Sequence, residues 1–180
     1  HQPFHWFVEF YGIIHDHGGF DVIIGNPPYV EYKDVQKQYT IRGFETQECG
    51  DLYAFVMERS NTLLERHGRM GLIVPVSVVS TDGFSSLRSL MLRMNRILWS
   101  LSFAERPSKL FTGVEKRLTI LLVCKAASKN QLLLSNYRRW FAEERDFLFS
   151  RISYVLNSFE CELVSSAIPK IADPIEIRIL

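Results

Sequence analysis

Phe20-Asp21-Val22-Ile23-Ile24-Gly25-Asn26-Pro27-Pro28-Tyr29 is the most informative stretch of this 180-residue chain. Its first six residues are a short β-branched run bounded by glycines (Gly18-Gly19 ahead, Gly25 behind), the signature of a buried strand. Its last four can continue neither a helix nor a ladder, because the consecutive prolines Pro27 and Pro28 carry no N–H. The strand must end at Gly25. The tetrapeptide Asn26-Pro27-Pro28-Tyr29 then sits at its carboxyl end.

Outward from this segment the chain alternates between element types. Residues 30–50 are polar, mixed in charge and without a period, which predicts a long loop, and long ordered loops are disproportionately functional. From Asp51 to Arg66 the residues Leu52, Phe55, Val56, Leu63 and Leu64 recur at helical spacing, with Asp51 at the N-cap and His67-Gly68 as the stop. Met70–Pro75 predicts a second buried strand, and Gly83–Arg96 a second helix carrying Leu87, Leu90, Met91 and Met94. Ile97–Phe103 and Leu118–Cys124 read as further strands, with a loop holding Pro107, Phe111 and Gly113 between them. Beyond Lys125 the pattern weakens. Gln131–Leu134 predicts a short strand, Tyr137–Ile152 a helix, and Ile168 onward a proline-punctuated segment. Upstream, the aromatic, apolar stretch Phe4–Ile14 is broken by His15-Asp16-His17-Gly18-Gly19. Strands alternating with helices predict an α/β layer structure with right-handed crossovers and a mostly parallel sheet. Ligands of such sheets sit at the carboxyl ends of the strands, where the tetrapeptide falls.

Composition excludes several classes. The chain is 47% hydrophobic and 23% charged, as soluble globular domains are, and no apolar run approaches the roughly 20 residues of a membrane span. Cys49, Cys124 and Cys161 are odd in number and widely spaced, which argues against a disulfide framework or zinc knuckle. They read as ordinary thiols of a reducing, cytoplasmic compartment. His1, His5, His15 and His17 match no zinc spacing, so no metal is expected. The formal charge of +1 does not by itself point to nucleic acid. The chain starts at His1 and stops at Ile179-Leu180, and reads as a piece of something larger.

The tetrapeptide has a chemistry of its own. Asn26 offers a side-chain carbonyl and Pro27 a backbone carbonyl on a chain of fixed φ. Two rigid acceptors side by side suit a planar NH2 group with two hydrogens to donate. Accepting both leaves the nitrogen lone pair more localised and better aimed. Tyr29 adds a flat face for the ring that bears the amine, and base–aromatic stacking is worth roughly 1–3 kcal/mol per base. Such a site works by positioning and electrostatic preorganisation, with no covalent intermediate.

These residues closely resemble the catalytic segment of amino-methyltransferases that use S-adenosylmethionine. The similarity is greatest to adenine-N6 DNA methyltransferases of restriction–modification systems, the Eco57I/TaqI-like branch. Phe4-His5-Trp6-Phe7-Val8-Glu9-Phe10 is similar to that branch's lead-in, and Asp51-Leu52-Tyr53-Ala54-Phe55 to its next helix. Gly68-Arg69-Met70-Gly71-Leu72-Ile73-Val74-Pro75 resembles the following strand, and Phe111-Thr112-Gly113-Val114 before Leu118-Thr119-Ile120 its last block. Ile168-Pro169-Lys170-Ile171 has the look of the place where a target-recognition region begins.

The resemblance implies the C-terminal half of a Rossmann-like class I methyltransferase sheet at 1–125, then the start of an α+β target-recognition region at 126–180. It implies that Asn26, Pro27 and Pro28 form the catalytic turn, the first two accepting the adenine amino group. Tyr29 would stack on the flipped base, since this atom is not attackable inside the duplex. Phe111 would close the pocket from the other side, and Lys33, Lys37 and Arg42 would lie near double-stranded DNA. The glycine-rich turn and the acids that hold the methyl donor in this family precede the tetrapeptide. Here only 25 residues precede it and no Gly-x-Gly occurs, so the resemblance implies a fragment that is inactive alone, with no donor-binding residues of its own beyond contacts near Asn26.

Plainer readings stand beside these. The tetrapeptide could be a proline-stabilised turn, and Phe111 an edge core residue. Asp21 reads as a backbone-satisfying carboxylate rather than a catalytic acid. Arg88, Arg93 and Arg96 form either a phosphate-facing strip or a solvated helix face, and Arg138-Arg139-Trp140 either contacts phosphate or pairs with Glu143-Glu144. Two other functions fit: methylation of a protein glutamine or an RNA exocyclic amine, and a non-catalytic DNA-binding or assembly subunit. Without upstream strands, the strand ending at Gly25 would be an exposed edge, which predicts self-association or cover by the aromatic N-terminal segment.

Overall fold

The computed structural model describes residues 5–157, 167–171, 173 and 175. The elements are α1 (Trp6–Glu9), α2 (Tyr11–Asp16), β1 (Phe20–Gly25), α3 (Tyr32–Val35), α4 (Leu52–Leu63), β2 (Leu64–Pro75), α5 (Ser77–Ser80), α6 (Ser85–Met94), β3 (Ile97–Phe103), β4 (Leu118–Cys124), β5 (Gln131–Arg138) and β6 (Val155–Asn157). Short 3-10 turns cover Gln47–Cys49, Asp82–Phe84 and Ala142–Phe147. The fold is mixed α/β, built on a six-stranded sheet of order β1-β2-β4-β3-β5-β6.

The β1–β2 and β3–β5 pairs are parallel, and the other three pairs antiparallel. The expectation of a mostly parallel sheet is thus corrected to a mixed one. Parallel neighbours need a crossover, usually a helix. Helix α4 provides it between β1 and β2, but no helix forms between Phe103 and Leu118. β4 therefore returns antiparallel and inserts between β2 and β3. Register places Gly25 opposite Leu72, Pro75 opposite Leu118, and Leu118 opposite Phe103. The ends of β1, β2 and β3 and the start of β4 consequently share one edge.

One face of the sheet carries Met70, Leu72, Val74, Leu98, Leu121 and Val123, packed under Ala54 and Met57 of α4 and Leu87, Leu90 and Met91 of α6. Ile168 and Ile171 join this core, with the Ile168 N–H donating to the Val79 carbonyl at 2.8 Å. The other face gathers Leu101 and Phe103 with Trp140 and Leu148.

Several local expectations are revised. Helix α4 stops at Leu63, not at Gly68, because Leu64 pairs with Phe20 and the next partners are Arg69 and Val22. Residues Glu65–Gly68 bulge out between them, and Gly19 lets the backbones meet: a Cβ there would lie 2.4 Å from the Leu63 carbonyl oxygen. Tyr137–Ile152 is not a helix. β5 runs on to Arg138, and Trp140 and Leu148 are drawn instead onto the second face of the sheet. Residues 30–50 are not bare loop but contain α3 and one 3-10 turn. The arginines of α6 form no strip: Arg88 is buried and donates to the Val78 and Thr81 carbonyls, both at 2.8 Å, while Arg93 pairs with Glu45. Arg96, just past the helix, bonds Asn130 at 2.9 Å. Glu144 takes the Phe141 N–H and Arg151 rather than Arg138 or Arg139.

β1 lies at the sheet edge, where Val22 is 61% and Ile24 79% exposed. Among the described residues, the N-terminal segment does not cover it. Phe10 meets Phe20 edge-on at 5.2 Å, and the Gly19 N–H donates to the Ile13 carbonyl, so the segment packs where β1 begins. Cys49 and Cys124 are free, buried thiols, whereas His1 and Cys161 lie outside the described residues.

Candidate functional site

Gly25 ends β1, and the prolines carry the chain away from the ladder. Pro27 is buried, Asn26 and Pro28 are exposed, and Tyr29 is half-buried. The Tyr29 hydroxyl donates to the Ile73 carbonyl at 3.0 Å, pinning the ring to the end of β2. Burial pushes its phenol pKa up.

Tyr53 of α4 braces this ring. The two stand perpendicular with centroids 6.2 Å apart, a geometry that the aromatic quadrupole favours. Tyr53 itself is buried and stacks on Phe84 at 5.4 Å. Its hydroxyl lies 3.0 Å from Ser77 Oγ and donates to Asp51 Oδ2 at 3.3 Å. Burial, above all, pushes the Tyr53 pKa up. Asp51 occupies the N-cap position of α4, as its sequence position predicts, but its side chain makes no capping hydrogen bond. Burial raises its pKa, Glu31 adds to the rise, and the Tyr53 hydroxyl with the ammonium groups of Lys116 and Lys33 pulls it back.

The 30–50 segment is closed at its base and clipped along its length. The Leu52 N–H donates to Val30 O at 2.9 Å and the Tyr32 N–H to Gly50 O at 2.7 Å, across an antiparallel bridge between Glu31 and Asp51. The Glu58 carboxylate accepts from the Thr46 hydroxyl at 2.7 Å and from the N–H groups of Thr46 and Glu45 at 3.0 and 3.1 Å. Glu45 in turn takes both 2.8 and 2.9 Å bonds from Arg93. Lys33 pairs with Glu31, which holds its ammonium pKa above the ordinary value. Lys37 and Arg42 are exposed.

Phe111 is half-buried in the β3–β4 connection. The Val76 N–H donates to Arg117 O at 2.9 Å, which fixes that connection on the edge that carries the tetrapeptide. Lys109 pairs with Glu115 at 2.8 Å inside it, and Arg145 donates to Lys109 O at 2.8 Å. The fold thus brings Asn26–Tyr29 and the Phe111 loop to one edge. Among the described residues, no ring contact joins Phe111 to Tyr29. The role of Asp51, Tyr53 and Ser77 went unseen in the sequence, although an acid and a tyrosine two residues apart at a helix start were the available signal.

Beside β1 runs an apolar groove of about 670 Å3, between Ile23, Ile24 and Pro28 on one side and Tyr39, Phe44 and Phe55 on the other. It has the width for an apolar guest but few polar groups to orient one. Among the described residues no group of three or more His, Cys, Asp or Glu could hold a metal ion, and no helix is long and apolar enough to cross a membrane.

Residues 1–111 match the family model described as Eco57I restriction-modification methylase. The chain belongs to this family. RM.MjaORFECS2P of Methanocaldococcus jannaschii is 30% identical to it over 168 residues, 90% of this chain. The type II restriction enzyme and methyltransferase RM.Eco57I of Escherichia coli is 24% identical over 151 residues, 73% of this chain. In each case the Eco57I-family chain described here spans 14% of the relative's length. A nuclease-deletion mutant of the Type ISP restriction-modification enzyme LlaGI, solved with a DNA substrate mimic, superposes with a TM-score of 0.59 at 14% identity, over 83% of this chain and 18% of that one. A DrdV–DNA complex gives 0.56 at 15% identity, over 76% and 17%. At these identities the likeness is one of fold.

Proposed function

We propose that this chain is the target-holding part of a longer adenine-N6 DNA methyltransferase of a restriction–modification system, working in the cytoplasm. The observation that carries the reading is the exposed Asn26 beside the buried Pro27 at the carboxyl edge, next to a tyrosine held from two sides. In this reading the Asn26 side-chain carbonyl and the Pro27 carbonyl accept the two amine hydrogens and aim the N6 lone pair. Tyr29 presents its ring to the flipped adenine, and Ile73 and Tyr53 keep that ring from turning away. Phe111 closes on the base from the neighbouring loop, while Lys33, Lys37 and Arg42 face the double-stranded DNA. Residues 1–125 act as the catalytic half and 126–180 begin a target-recognition region.

The methyl donor implied by the family is S-adenosylmethionine, which supplies an electrophilic methyl group. The described residues contain no glycine-rich cradle for it, so this chain's own part is confined to the amine, and alone it should transfer nothing. The bare edge of β1 leads copies of the isolated chain to associate.

The test is methylation of duplex DNA by the longer protein, read as N6-methyladenine by mass spectrometry. Asn26→Ala should lower the rate by about 10²–10³-fold, the usual effect of removing one preorganised partner. Methylated protein glutamine or RNA with unmodified DNA would sink the proposal.

A further inference from the structure

The carboxyl edge holds a second opening that the amine-binding role leaves unused. Its lining comes from three pieces of chain: Ala104, Glu105, Arg106 and Pro107 after β3, Arg117 before β4, and Tyr137 and Arg139 at the end of β5. The cavity has a volume of about 810 Å3. Strand register explains why these pieces meet, since Phe103 pairs with both Leu118 and Arg138, and the Ala104 N–H donates to Arg138 O at 2.8 Å. Three arginines and one carboxylate, Glu105, line the opening, and a second carboxylate, Glu115, interacts with Arg106 from outside the lining. Glu105 approaches Arg106 at 4.0 Å, so these carboxylates engage Arg106 and leave the charge of Arg117 and Arg139 without an ion-pair partner among the described residues. Arg117 and Arg139 make no side-chain hydrogen bond or ion pair among the described residues. Guanidiniums stay charged at any physiological pH, and their forked donors match phosphate oxygens. All three are exposed to solvent and gathered near the ends of β3 and β5 and the start of β4, where their donors can reach a phosphate group.

We propose that Arg106, Arg117 and Arg139, with the Tyr137 hydroxyl, bind backbone phosphates of the DNA strand that enters the site. The inference rests on the proposed reading of the tetrapeptide and adds to it where the strand runs. Strands in a sheet lie about 4.8 Å apart, so Arg117 on β4 stands roughly 10 Å from β1, and Arg139 on β5 about 20 Å. At about 3.4 Å per base pair these distances correspond to roughly three to six base pairs beyond the target adenine. Phosphate contacts of this kind set register and orientation and carry no sequence information. The cradle therefore positions the duplex and leaves choice of sequence to other parts.

Binding to a labelled duplex of arbitrary sequence, followed by fluorescence anisotropy between 50 and 200 mM salt, tests this without any methyl transfer. The double variant Arg117→Gln/Arg139→Gln should lower the slope of log K against log salt by about 1.8, two contacts at about 0.9 each. Its affinity should fall roughly tenfold or more, as for lost charge-assisted hydrogen bonds. Arg117→Lys/Arg139→Lys, which keeps the charge, should retain the slope, and so should Arg66→Gln at the opposite edge of the sheet. An unchanged slope in the glutamine variant overturns the cradle, as does an equal fall in Arg66→Gln. Absence of duplex binding by the unsubstituted chain also overturns it. Tight binding of inorganic phosphate alone, abolished by the same glutamine variant, would reassign the cavity to a small free anion. None of these results touches the N6-methyladenine measurement, so the two proposals can fail separately.

Discussion

β1 and β4 are written in nearly the same alphabet and meet opposite fates. Phe20-Asp21-Val22-Ile23-Ile24-Gly25 and Leu118-Thr119-Ile120-Leu121-Leu122-Val123-Cys124 are both dense in aliphatic side chains, the pattern of strands covered on two faces. β4 has strands on both sides and buries five of its seven residues. Among the described residues β1 has a strand partner on one side, and none of its six residues is fully buried. A hydrophobic run records the burial for which a strand is suited; it does not record which element supplies the cover. At β1 the mismatch falls beside the tetrapeptide, and it leaves Val22 and Ile24 open next to Gly71 and Leu122 in a shallow apolar recess.

The sharpest way to break this comparison is truncation at matched positions. Leu121 on β4 is 2% exposed and packs among Leu72, Leu98 and the helices above them. Leu121→Ala should cost about 2–5 kcal/mol, lost transfer energy plus the cavity left behind. Ile24→Ala, at a side chain already in solvent, should stay within about 0.5 kcal/mol. Both are read from urea unfolding midpoints at unchanged m-value. A comparable cost at Ile24 would mean that β1 is covered in solution after all.

Charge on the bare strand probes the same point through association. Ile24→Lys places an ammonium on the open edge, the device natural sheets use against edge-to-edge pairing. It should shift a self-associating chain toward monomer in analytical ultracentrifugation, with stability nearly unchanged. If Ile24→Lys and the unsubstituted chain sediment alike, the edge does not drive association.

How much of this was legible follows from the same contrast. β3 and β4 carry continuous apolar runs between polar breaks, and their limits at Ile97–Phe103 and Leu118–Cys124 can be read directly. The position of the tetrapeptide was equally plain, because two prolines leave the chain no choice. Strand direction was harder. Its one clue was negative, the lack of a helical period between Ala104 and Arg117, which removes the crossover that a parallel neighbour requires. Trp140 and Leu148 have helix-compatible spacing, yet the second sheet face needed covering and took them from either side of the Ala142–Phe147 3-10 turn. The cavity of Arg106, Arg117 and Arg139 could not be read at all, since three strand ends must meet before the charges are neighbours.

Asp51 links the two strands' ends, and it gives the smallest and most specific effect. Its Tyr53 partner braces the segment after β1, and Lys116, whose charge acts on it, lies just before β4. Burial raises the carboxyl pKa in the native state, so the folded chain binds this proton more tightly than the unfolded chain does. Below the unfolded value of about 3.9 both states hold the proton and the group is neutral in its effect. Stability contributed by this group then falls as pH rises from there through the raised native value, and stays lower at neutral pH. Asp51→Asn keeps an oxygen for the Tyr53 hydroxyl and removes the charge. Its stability relative to the unsubstituted chain should accordingly be greatest near pH 7 and shrink as pH drops below about 4. Denaturant midpoints for both chains across pH 3 to 7 read this directly. A difference that widens on acidification would show that Lys116 and Lys33 outweigh burial, and that the ends of β1 and β4 are held together by charge rather than by packing.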